Sequence, residues 1–229
     1  MKTILKVVVG SQAHGLATPE SDFDYRGVFV VPTTEILSLG NTKRQTSWNE
    51  GKNDDTSWEI GHFLFLATKC NPTILETFLA PGVNVFNQAQ ESDPVLREYG
   101  QELRSLFPFI WNSTDVANAF VGYGLNQRKK FLEDKDNRAN KYAAAYLRTL
   151  YNAHELLTTG QFTVRIIDTE IGKKVKAFKE GDYTIGEVIE VCYHWQKKVY
   201  EALNSKPRKQ SQLAPVNNFL LKIRKEFWE

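Results

Sequence analysis

The chain opens on an apolar run, Ile4 to Val9, rich in β-branched side chains and broken by Lys6, which predicts a buried strand. The run stops at Gly10-Ser11, where a tight turn is expected, and a short segment of small residues follows. Val28-Phe29-Val30-Val31 predicts a second strand. Turn residues and mixed polarity over 32–52 predict a connection, with a short element around Glu35 to Leu39. From Glu59 the period changes to that of a helix, with Ile60, Phe63, Leu64 and Ala67 on one stripe. Asn71-Pro72 breaks this helix, and Pro72 starts another through about Leu79. Beyond Asn84 the pattern is helical: amphipathic stretches cover 94–106, 115–133, 138–159 and 184–203, and a last helix begins near Pro215. Thr114 or Asp115 is the expected N-cap of the second stretch, and Gly160 the stop of the third.

These elements predict an α+β fold: an α/β-type core with a short mixed β-sheet, followed by a mostly helical C-terminal part. The expected division is 1–82 for the core and 83–229 for a helical domain that closes one wall of a cleft. A length of 229 residues suffices to bury a proper core. The net charge of +2 argues against a strongly basic nucleic-acid coat and leaves room for a local basic patch. Cys70 and Cys192 lie far apart, with neither metal-ligand spacing nor a disulfide framework, so a reducing cytoplasm is the expected setting. The apolar part of MKTILKVVVG is too short for a signal peptide, and no stretch approaches the ~20 residues needed to cross a bilayer. A soluble protein without a membrane partner is expected.

Candidate chemistry sits between the two strands. Ser21-Asp22-Phe23-Asp24-Tyr25 places carboxylates at i and i+2, which share one face of an extended strand, while Phe23 and Tyr25 turn to the other. Adjacent like charges repel, and a divalent cation between them makes the pairing favourable. Magnesium takes oxygen ligands, one or two of them protein carboxylates, and completes its shell with water and substrate phosphates. Arg26 falls on the same face by parity, either as a phosphate ligand or in a structural ion pair. Gly10 to Gly15 has the glycine spacing of a P-loop, but Leu16-Ala17 stand where that motif needs Lys and Ser/Thr. The turn amides and the Ser11 hydroxyl remain able to donate to phosphate oxygens.

An apolar strand, a Gly-Ser turn, a spacer and then Asp22-Phe23-Asp24-Tyr25 resembles the nucleotidyltransferases of the DNA polymerase β superfamily. The longer strings GSQAHGLATPESDFDYRGVFVVP and KCNPTILETF resemble its small members in bacteria and phages. The likeness covers residues 4–81 and returns in YAAAYLRTLYNAHELLTTG. It implies that Gly10 and Ser11 contact the nucleotide's phosphates. Asp22 and Asp24 would hold two magnesium ions, with manganese as a possible substitute. A third carboxylate on a later strand would be Asp54 or Asp55: a count back from the family-like helix favours Asp54, and strand parity permits Asp55. Glu59 is a poorer candidate, at the start of a helix, and Glu76 reads by default as a helix-surface residue. His14 reads as a solvated loop residue, or else as a nucleotide contact.

Arg128, Lys129, Lys130, Lys141, Arg148, Lys206, Arg208 and Lys209 are candidates for holding triphosphate or acceptor, with Arg148 foremost because it lies in the returning likeness. The expected reaction transfers an NMP from an NTP, for which ATP is a candidate, to an acceptor hydroxyl on RNA (a tRNA or another 3′ end), DNA or protein, with release of pyrophosphate. The alternative is a catalytically silent nucleotide-binding or antitoxin-like protein of the same fold. A carboxylate-pair glycosidase fits poorly, since it has no use for a phosphate-gripping turn.

Overall fold

The computed structural model describes residues 1–39, 46–49 (backbone only), 55–83, 93–134 and 137–229. Its fold is α+β. Strand β1 (Lys2–Val9) leads into a five-residue helix α1 (Gly10–His14), and the chain returns in β2 (Asp24–Val30), antiparallel to β1. Helix α2 (Thr33–Leu37) and strand β3 (Thr46–Asn49) come next. Strand β4 (Asp55–Glu59) then inserts parallel to β2 and antiparallel to β3, giving the order β1-β2-β4-β3. The open side of β1 is partly covered, because the Val8 N–H donates to the Pro81 carbonyl at 2.9 Å and Val7 bridges Gly82.

The sheet's two faces differ as alternation requires. Val7, Val9, Val28 and Trp58 enter the main core on one face. On the other, Val8, Tyr25 and Val83 form a smaller cluster joined by Phe23, whose ring stacks 6.4 Å from that of Tyr25. Helix α3 (Ile60–Thr68) is capped by the Glu59 carboxylate, which accepts from the Gly61 N–H at 2.7 Å. Asn71 caps α4 (Pro72–Leu79), accepting from the N–H groups of Thr73 and Ile74. Burial of Phe63 and Phe78, with ring centroids 4.9 Å apart, locks α3 and α4 together.

The helices after residue 93 pack onto this layer through one continuous apolar core. Helix α5 (Pro94–Ser105) crosses β1 where Gly100 lies against the Ile4 carbonyl, a contact that leaves no space for a Cβ. The β1–β2 register is irregular at this crossing, between Thr3 and Leu5. Short α6 (Phe107–Ile110) precedes the long pair α7 (Ser113–Glu133) and α8 (Ala139–Thr159). The N-cap of α7 is Asn112, whose Oδ1 accepts from the Asp115 N–H at 2.9 Å, so neither Thr114 nor Asp115 caps it. Gly160 ends α8 at φ 74°, as expected of a C-terminal stop. Helix α9 (Gly172–Glu180), which the sequence did not signal, lies along α8. Helix α10 (Ile185–Ser205) starts at a Thr184/Glu187 capping box and packs on α7 and α8. Cys70 and Cys192 are both buried free thiols.

The final helix α11 (Leu213–Glu226) returns to the sheet. Arg224 grips Glu59 with two bonds, Nη1–Oε1 at 2.7 Å and Nη2–Oε2 at 2.9 Å. Backbone bonds from the N–H groups of Thr33 and Thr34 to the Phe227 and Trp228 carbonyls extend the tie to α2. Both charged side chains are largely buried, at 17% and 10% exposure, so loss of one strands the other. Arg224→Ala should lower unfolding free energy by about 3 kcal/mol. Urea unfolding would measure this, and Glu59→Gln in the same background should recover part of the loss.

Candidate nucleotidyl-transfer site

A cavity of about 300 Å³ opens where the ends of β1 and β2 meet α1, α4, α7, α8 and α9. Its floor comes from Val9, Gly10, Ser11, His14, Asp24 and Arg26. The register explains this grouping: Val9 pairs with Asp24 and Val7 with Arg26, so both polar side chains leave the sheet on the face that carries the main core. Gly10 has φ 66°, and a Cβ there would collide with the Asp24 carboxylate. The turn and the acid therefore approach as closely as they do only because residue 10 is glycine. Arg26 Nη1 donates to the neighbouring Tyr25 carbonyl at 2.9 Å.

The walls add charge. Lys130 on α7, Lys141 and Arg148 on α8, and Lys179 on α9 join Arg26, giving five cations against the two carboxylates of Asp24 and Glu76. Lys179 Nζ donates to the Leu16 carbonyl at 2.5 Å, and its pKa is lowered first by partial burial and then by the charge of Lys141. Lys130 sits over the Tyr142 ring, 5.4 Å from its centroid. Cations concentrated in a concave site lined by low-dielectric walls raise the local potential for anions.

Glu76 is the buried centre of this arrangement. Its Oε1 accepts from His14 Nε2 at 2.5 Å and from Arg148 Nη1 at 3.4 Å. Burial alone would raise the Glu76 pKa, but the charge of Arg148 and the contact with His14 outweigh it and hold the carboxyl at about 2. Burial, and then Arg148, push the His14 imidazole below 6.5. Near neutral pH the contact is therefore a neutral imidazole donating to a carboxylate, with Arg148 as the compensating charge.

The expected site residues divide accordingly. Gly10, Ser11, His14, Asp24, Arg26 and Arg148 come together around the cavity. Asp22 does not join them: β2 begins at Asp24, opposite the last residue of β1, so Asp22 precedes the strand and is exposed. Asp55 pairs in register with Tyr25, on the opposite face from Asp24, and Lys6 Nζ holds its carboxylate at 2.9 Å. Asp54 lies outside the described residues, among which no group of three or more His, Cys, Asp or Glu is placed to hold a metal ion. Of the other basic candidates, Lys129 pairs with Glu133, while Lys206 and Arg208 are exposed. Lys209 donates to the Trp111 carbonyl and covers that ring. Glu76 and His14, read from sequence as surface residues, are buried. From sequence, Tyr123 and Gln127 read as members of the packing stripe of the 115–133 helix, with Val116, Phe120 and Phe131, and nothing marks Lys179. Tyr123, Gln127 and Lys130 do follow i, i+4, i+7 along α7, the one pattern that places them together.

The match to a family model makes this a polymerase β-type nucleotidyltransferase-like protein. The chain belongs to the RlaP family, described as the RNA repair pathway DNA polymerase beta family, whose model matches residues 1–174. It is also 32% identical over 141 residues to the "Uncharacterized 38.9 kDa protein in nrdC-mobD intergenic region" of Enterobacteria phage T4. That match covers 57% of this chain and 39% of the phage protein. No solved structure matches. Among the described residues no helix is long and apolar enough to cross a membrane.

The Glu76 tie gives stability a pH dependence. The unfolded carboxyl binds its proton near pH 4.5 and the folded one only near 2, so its stabilisation is complete above 4.5 and fades as pH falls towards 2. His14 acts in the same direction, because the unfolded ring protonates near 6.5 and the folded ring only at lower pH. Urea titrations from pH 7 to 3 should show wild type losing stability throughout. Glu76→Gln should start less stable and show a flatter decline below pH 4.5; an unchanged decline there would remove Glu76 from this role.

Proposed function

We propose that the protein binds a nucleoside triphosphate in this cavity and transfers the nucleoside monophosphate to an acceptor hydroxyl, releasing pyrophosphate. The supporting observation is the meeting of the Gly10-Ser11 turn and the Asp24 carboxylate with five cationic side chains. In the reaction the acceptor oxygen bonds the α-phosphorus, the bond from that phosphorus to the β-phosphate oxygen breaks, and the hydroxyl proton leaves to a carboxylate or water. Ser11, Lys130, Lys141 and Lys179 would bind phosphate oxygens, and Arg148, steadied by Glu76, would face the charge that develops on the leaving group.

Magnesium fits this donor set, since it needs only one or two protein carboxylates when substrate phosphates complete its shell. Asp24 would hold it; of the other expected carboxylates, Asp22 lies exposed outside the cavity, Asp55 is engaged on the opposite face, and Asp54 stays a proposed ligand outside the described residues. When bound, magnesium would supply a lowered pKa at the attacking hydroxyl and neutralise phosphate charge. The family's description as an RNA repair pathway polymerase makes an RNA end the first acceptor to test. ATP is one of the triphosphates to try.

One observation favours a second reading, nucleotide binding without transfer: of the described aspartates, only Asp24 lines the cavity. Pyrophosphate release separates the two. Each labelled NTP, supplied with magnesium and with RNA, DNA or protein fractions, should label RNA and release pyrophosphate. Binding with no release would select the silent reading, and label confined to protein would remove the RNA acceptor. Asp24→Asn should lower transfer by about three orders of magnitude or more with the fold intact by circular dichroism, the loss expected when a charge-stabilising group of several kcal/mol is removed.

A further inference from the structure

Gln127 is 6% exposed and lines the cavity, yet its side chain makes no hydrogen bond to any described residue. Its amide is not sealed off, because neither polar atom is among the fully buried side-chain atoms left without a partner. Buried polar groups in folded proteins are normally paired. Asn152 on the adjoining helix obeys that rule: it is 1% exposed, and its amide donates to the Thr163 carbonyl at 3.0 Å. An unpaired amide that is buried and still open to a cavity is a contact waiting for a ligand.

The chemistry of the amide limits what that ligand presents. A carboxamide offers a donor beside an acceptor. Phosphate oxygens would satisfy the N–H groups but leave the carbonyl facing lone pairs, and the cavity already holds five cations suited to phosphate. The complement of a carboxamide is a flat edge with its own donor beside an acceptor, which every nucleobase carries. The cavity that Gln127 lines also has surface suited to a ring: Ala144 and Ala145 are small, and Leu16 and Val175 add apolar surface.

We infer that Gln127 reads the base edge of the nucleotide and sets which triphosphate the cavity prefers. This rests on the triphosphate reading above and adds to it a specificity-determining residue. Cutting the side chain back to the methyl of alanine removes the base contact and leaves the phosphate contacts. Replacing the amide with a carboxylate turns donor-plus-acceptor into acceptor-only, whose best partner is guanine, with N1–H and N2–H side by side.

The test is competition binding of ATP, GTP, CTP, UTP and inorganic tripolyphosphate, each with magnesium, to wild type, Gln127→Ala and Gln127→Glu. Wild type should bind its preferred nucleotide about tenfold or more tighter than its weakest, the discrimination expected of a good bidentate pair. Gln127→Ala should flatten that ranking while tripolyphosphate, which has no base, competes as before. Gln127→Glu should bind all triphosphates less tightly but move GTP up the order. Since Gln127→Glu is isosteric, it carries the test if the alanine variant is unfolded by circular dichroism. An unchanged ranking in both variants overturns the inference, as does a wild type that binds all four nucleotides and tripolyphosphate equally; either result leaves the triphosphate reading standing. A wild type that binds none of the five removes both.

Discussion

Glu76 is the constraint on which the site depends. A carboxylate this deeply buried is costly unless charge and hydrogen bonds surround it, and here they come from two distant parts of the chain. His14 closes the short helix after the Gly10-Ser11 turn, and Arg148 lies midway along α8. The same oxygen accepts from both, so the turn, α4 and the long helical pair are held in one geometry. The cavity is the space this tie leaves between them. Its cations come from both halves of the chain, so neither half would present the site alone.

A second constraint acts at the sheet edge. Gly10 and Asp24 are brought together by the Val9–Asp24 pair that ends the β1–β2 ladder, and the absent Cβ at residue 10 lets the carboxylate stand against the turn. The same ladder decides which acids face inward. Alternation sends Asp24 and Arg26 towards the helices, and sends Tyr25 and its neighbour Asp55 to the other face, where Lys6 neutralises the acid. The geometry of the sheet thus sorts acids that composition alone would treat as equivalent.

Much of this was legible in sequence, and the exceptions have physical causes. The β-branched runs of β1 and β2 and the 3.6-residue stripes of α7, α8 and α10 announce themselves because burial on one face forces the pattern. Strand β3, TSWN, has no apolar alternation, and α9, GKKVKAFKE, buries only Gly172, Val175 and Phe178 among its lysines. Within the site, the turn and Asp24 followed from the motif. Asp22 was expected to share a strand with Asp24, but a strand needs a partner and β1 has none left beyond Val9. Glu76 and His14 looked like surface residues because nothing local marks a pairing across 62 positions. Gln127 carries a polar label on a helix whose other stripe residues are apolar, and only the cavity gives that label a meaning.

The match to the family ends at residue 174, inside α9, yet Val175 and Lys179 of that helix still line the cavity. The turn and the acid thus come from the shared segment, while part of the opposite wall, including one of its charges, comes from sequence beyond it. Proteins that share the first part need not hold the same ligand, and a swap of this one helix is the shortest exchange that would show how far ligand choice travels with it.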